Sequence, residues 1–126
     1  MTKSPKPPHA EPPANWHATV DPAIAAIEAR GGKPKAFEVV LTHGTARLGL
    51  YAPRGADPQQ PHDQDEVYVV VRGTGVFVND GERRRFGPGD LLFVPAGVVH
   101  RFEQFSDDIA LWVVFYGPPG GEIPRG

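Results

Sequence analysis

Two histidines and a carboxylate, His62, Glu66 and His100, carry the residue types that hold a divalent metal ion in a catalytic setting. His62 and Glu66 stand in the run Gln60-Pro61-His62-Asp63-Gln64-Asp65-Glu66. His100 closes the run Gly89 to His100, which passes through Pro95 and Gly97. Gln60, His62 and Glu66 share one parity, so an extended chain would present all three on one face. Glu66 leads into an apolar run and is expected at the start of a strand, pointing inward. For the three groups to meet, two separate strands must come together across a closed barrel.

The other nucleophile and phosphate chemistries find no support. The chain has no cysteine, which excludes disulfides, thiolate ligands and a cysteine nucleophile. Ser4 and Ser106 fall in a tail and a turn, and no glycine-rich phosphate loop ends in Lys and Ser or Thr. The 126 residues suit one domain, able to bury roughly two-thirds of the surface its unfolded chain exposes. Thirteen Lys and Arg against 15 Asp and Glu give a net charge of -2, so neither nucleic acid nor a membrane surface is expected as a partner. No apolar run approaches the ~18 residues of a membrane span, and the proline-crowded start has no signal-peptide core. The expected location is cytoplasmic.

The elements that must position these groups are mostly strands. Residues 1–15, with Pro5, Pro7, Pro8, Pro12 and Pro13, are expected to form a disordered tail, followed by a single domain over 16–126. One helix is predicted over Ala23 to Ala29, with Asp21 as N-cap, Pro22 in the first position and Gly31-Gly32 as the stop. Strands are predicted at 36–42, 47–52, 67–72, 75–79, 83–86, 91–94, 99–105 and 109–116, all rich in Val, Phe, Tyr, Leu and Ile. Asp80-Gly81 reads as a two-residue hairpin turn. About eight short strands without alternating helices imply an all-β sandwich or barrel. Tyr68 and Phe102 share parity with Glu66 and His100 and are placed in the substrate pocket. Phe93, Trp112 and Phe115 are assigned to the core, His43 to a turn, Asp63 and Asp65 to solvent or to the loop, and Arg83-Arg84-Arg85 to a solvated hairpin arm.

With those residues in place, 36–117 resembles the cupin superfamily. His62, Glu66 and Gly73 match the second histidine, the glutamate and the glycine of its first motif. Gly89, Pro95, Gly97 and His100 match its second, whose closing asparagine is here Gln104. The resemblance implies a jelly-roll-like barrel (a double-stranded β-helix), usually dimeric, holding a metal through three histidines and a glutamate. Gln60 stands where the family has its first histidine. The set left is His62, Glu66 and His100, with Gln60 as a loose ligand, a water-orienting group or an outer contact. Two histidines and one carboxylate suit non-haem iron, although manganese, zinc and nickel are accommodated by the same donors. The implied function is a metal-dependent enzyme, dioxygenase- or isomerase-like, acting on a small organic molecule. Glu66 and Gln60 would be its catalytic groups, with Glu66 acting as base. The alternative is a non-catalytic module that binds or senses a small ligand. Exposed strand edges make a homodimer the expected assembly.

Overall fold

The computed structural model describes residues 11, 12 and 14–124, so most of the proline-rich segment lies outside it. One helix precedes eight strands: α1 (Val20–Ala29), β1 (Phe37–His43), β2 (Ala46–Tyr51), β3 (Asp65–Arg72), β4 (Gly75–Asn79), β5 (Glu82–Phe86), β6 (Leu91–Val94), β7 (His100–Glu103) and β8 (Ala110–Tyr116). All pairings are antiparallel. A five-stranded sheet runs β1-β2-β8-β3-β6 and faces a three-stranded sheet, β5-β4-β7. After β3 the chain crosses to the smaller sheet for the β4–β5 hairpin, returns for β6, crosses again for β7 and returns for β8, which is the wrapping expected of a jelly-roll-like barrel.

Strand alternation builds two apolar clusters. Between the sheets lie Tyr51, Tyr68, Val70, Phe77, Phe86, Val94, Phe102, Ile109, Leu111, Val113 and Phe115. On the outside of the larger sheet, Leu50, Ala52 and Ala110 pack against Ala23 and Ile27 of α1. This second cluster explains why a helix of only ten residues persists. Its start differs from the sequence expectation. The N-cap is Thr19 without a side-chain cap, and Asp21 sits inside the first turn, paired with Arg72 of β3. Val20 packs against the second cluster, and that burial draws the helix two residues further back than the predicted first position, Pro22.

Other departures are local. β3 begins at Asp65, so Glu66 lies within a strand. β7 ends at Glu103, because Gln104 takes a positive φ of 50° and turns the chain. Phe93, assigned to the core, is 44% exposed on the outer side of β6, two residues along from exposed Leu91. The Asp80-Gly81 turn has positive φ at both residues, as a type I′ hairpin requires.

Gly73 ends β3 with φ at 91°, and a Cβ there would lie 2.8 Å from the Ile109 Cα. Gly81 has a similar φ of 84° but open space around it. Gly73→Ala is expected to destabilise by about 3 kcal/mol, strain and overpacking together, and Gly81→Ala by about 1–2 kcal/mol from strain alone. Urea unfolding of both variants checks the difference.

Candidate metal centre

His62, Glu66 and His100 converge. Their nearest donor atoms all lie within 4.8 Å of one another. Glu66 comes from β3 and His100 from the first position of β7, in the opposite sheet. His62 comes from the loop before β3, which is tied down where Gly97 N–H donates to the His62 carbonyl at 2.7 Å. The Pro95-Ala96-Gly97 turn thus holds both histidine segments. Asp65 adds a second tie: its oxygens accept from Ala96 N–H at 2.9 Å and Glu122 N–H at 2.8 Å. It is buried and secures loops rather than an imidazole.

The Glu66 side chain is 1% exposed and that of His100 is fully buried. His100 Nδ1–H donates to the Val98 carbonyl at 2.9 Å, which leaves Nε2 with a bare lone pair. That lone pair stands 2.8 Å from Glu66 Oε1, yet the two atoms are not aligned as donor and acceptor. Among the described residues, neither Glu66 oxygen nor His100 Nε2 has a hydrogen-bond partner. A buried carboxylate without a hydrogen bond costs several kcal/mol, so this arrangement calls for positive charge, from a protonated His100 imidazole at 2.8 Å or from a cation between the two groups. A divalent cation meets that need, and the donors present fit one.

The third donor is wetter. His62 Nε2 lies 3.8 Å from Glu66 Oε1, with about a quarter of the side chain exposed. Burial pushes His62 below the ordinary imidazole range; Glu66 opposes the shift, and His100, Lys35 and Arg47 add to it. Burial also pulls His100 down, but Glu66 and the Val98 carbonyl outweigh that and raise it. Tyr68 is held well above the usual phenol range by burial, then by Glu66, so its hydroxyl keeps its proton.

The glutamine beside this centre is Gln59, which the sequence reading passed over. Its Oε1 accepts from Tyr68 OH at 2.8 Å and lies 3.2 Å from His62 Nε2. Gln60 lines the cavity wall and is exposed. Asp57 fixes this loop: it accepts from Tyr51 OH, Gln59 N–H, Gln59 Nε2 and Phe102 N–H. No motif marks Gln59 or Asp57, because a loop without strand parity sets their direction. Tyr68 lines the cavity. Phe102 is instead sealed among aromatic rings, with Phe77 at 4.7 Å and Tyr68 at 5.0 Å between centroids.

The cavity, about 990 Å³, has His62, Glu66, Tyr68 and Phe115 at its inner end and opens between the 31–37 and 53–61 segments. A cluster of two imidazoles and a carboxylate that could hold a metal ion lies at the inner end of a barrel cavity. The cupin domain profile matches residues 47–116, more than half of the chain. The chain belongs to the cupin family.

Among similar proteins, an uncharacterized protein of Streptomyces coelicolor is 37% identical over 91 residues, covering 71% of this chain and 87% of its own. The acireductone dioxygenase of Bacillus velezensis is 29% identical over 112 residues, covering 85% of this chain and 62% of that enzyme. The structure of KdgF from Halomonas superposes with a TM-score of 0.56 at 21% identity, over 63% of this chain and 74% of that one, and bears on the fold alone.

Because Asp57 accepts four hydrogen bonds, Asp57→Ala is expected to cost at least about 2 kcal/mol. Gln60→Ala, at an exposed position, should stay within about 0.5 kcal/mol. Equal losses for the two in denaturant titrations would contradict this account of the loop.

Proposed function

We propose that this cupin is a metal-dependent enzyme acting on a small organic molecule, with His62 Nε2, Glu66 Oε1 and His100 Nε2 as ligands of a divalent cation. The observation that carries the reading is the buried Glu66 carboxylate, whose oxygens and neighbouring His100 Nε2 have no hydrogen-bond partner among the described residues. Two imidazoles and a carboxylate suit iron, manganese, zinc or nickel and leave coordination positions for a substrate. The similarity to acireductone dioxygenase over 85% of this chain supports dioxygenase-type chemistry, with isomerisation as the other option for the same donors. When bound, the cation supplies Lewis-acid polarisation and a template for an oxygen-bearing substrate.

The remaining steps belong to the chain. Glu66 Oε2 is the proton acceptor nearest the reacting atoms. Tyr68 stays protonated and holds the Gln59 amide oxygen in place by donating to it. Gln60, on the exposed wall, is placed to hydrogen-bond a substrate rather than a metal. The aromatic floor of Tyr68 and Phe115 excludes water from the inner end.

Protein purified without added metal is expected to retain a stoichiometric divalent ion by elemental analysis. Loss of an outer contact alone weakens metal sites 10–100-fold, so Glu66→Gln and His100→Ala should exceed about 100-fold. Gln59→His should slow metal loss to a chelator, and Gln60→His should not. Oxygen uptake or product formation across small carbonyl and phenolic compounds distinguishes the enzyme from a module that only binds its ligand.

Self-association into a homodimer is part of the same proposal. β1 and β6 are edges of the five-stranded sheet, and β6 exposes Leu91 and Phe93. If this edge pairs with a second copy, Leu91→Lys with Phe93→Lys should give a monomer by light scattering.

A further inference from the structure

The mouth of the cavity is basic, although the whole chain carries a net charge of -2. Lys33, Lys35, Arg47 and Arg54 line it, against Glu28 at the rim and Glu66 at the floor. Arg54 has a structural task, donating to the Pro53 and Ile109 carbonyls. Lys33, Lys35 and Arg47 form no ion pair among the described residues, where Arg30, Arg72, Arg83, Arg84 and Arg101 all do. Cations left unpaired at the entrance to a cavity are free to meet an incoming anion.

Arg47 is the most informative of the three, because sheet register fixes its position. Arg47 of β2 is opposite Phe115 of β8, and Phe115 is opposite Glu66 of β3. The three residues form one cross-strand row on the inner face. Glu66 therefore sits two strand spacings from Arg47, about 10 Å between backbones. The Arg47 guanidinium lies over the Phe115 ring, 4.7 Å from its centroid, and the same ring meets the edge of His62 at 4.8 Å. Stacking on Phe115 restrains the guanidinium at the mouth side of the centre, and Lys35 and Arg47 both act electrostatically on His62. Gly49 lets the Phe37 side of the wall pack closely, since a Cβ there would lie 2.5 Å from both the Phe37 ring and the Glu38 carbonyl oxygen.

We infer that the substrate is a small organic anion, its carboxylate or phosphate held by Arg47 and Lys35 at the mouth and its oxygen-bearing end at His62, Glu66 and His100. This rests on the reading of those three groups as the reacting end. The row spacing limits the molecule to a length of about 10 Å or less between its two ends. Guanidinium pairs with either anion in a two-point contact, and the apolar wall of Phe37 and Phe115 accepts the carbon chain between.

The test is titration calorimetry on the purified full chain with succinate, inorganic phosphate and the uncharged isostere succinamide. Metal content is measured on every sample. Succinate or phosphate is expected to bind at least tenfold tighter than succinamide, and whichever of the two binds tighter identifies the anion class. Arg47→Met and Lys35→Ala should each weaken the anion at least fivefold while metal content stays that of the parent protein. Lys35 is exposed in a loop, so its variant keeps the test decisive if Arg47→Met misfolds by circular dichroism. Equal binding of succinamide, no binding of either anion, or unchanged affinity in the folded variants overturns the inference. A parent protein that holds no metal yet loses anion affinity in both variants would sink the metal reading and leave the anion site standing.

Discussion

The constraint on which the site depends is a carboxylate buried without hydrogen bonds. Glu66 is almost completely enclosed, and neither of its oxygens receives a hydrogen bond from the described residues. Most buried carboxylates are paired or hydrogen-bonded, because removing the charge from water costs several kcal/mol. Here the surrounding structure spends its hydrogen bonds elsewhere. Asp65, next in the chain, takes two backbone donors, and Asp57 takes four donors from β2, the loop and β7. Glu66 is thus left free in a protein that satisfies its neighbours, and the nearest group is an imidazole presenting its own lone pair.

That selectivity has a topological origin. Glu66 and His100 belong to facing sheets, so the gap between them is the gap between the layers. Residues packed around it are aromatic, with Tyr68, Phe77 and Phe102 in mutual edge or tilted contact beside His100. Rings with two torsions fill this volume at low entropic cost and offer few competing acceptors or donors. The charged groups are thereby isolated from everything except one another and the cavity.

Strand periodicity made much of this legible. Parity placed Glu66 and Tyr68 inward, and the glycine and proline spacing placed the turn that links His62 to His100. What failed were positions outside that period. Gln60 shares parity with His62 only if the chain between them is extended. Here Pro58 and Pro61 interrupt the loop, and the adjacent Gln59 makes the contact. Phe102 has the right parity, but β7 belongs to the smaller sheet, where inward means into the aromatic core. Phe93 faces outward because no layer covers that side of β6.

Arg47 shows the same rule read in the other direction. Arg47, Gly49 and Tyr51 alternate on the inner face of β2, while Leu48 and Leu50 turn outward, with Leu50 under α1. A guanidinium at an inward position would ordinarily break the pattern of a half-buried strand. It is tolerated because the row ends at the mouth, where the side chain stays exposed and rests on Phe115. The residue that violates the alternation therefore marks where the barrel interior meets solvent. One row across the sheet runs from a cation at the entrance, over an aromatic ring, to a carboxylate at the floor.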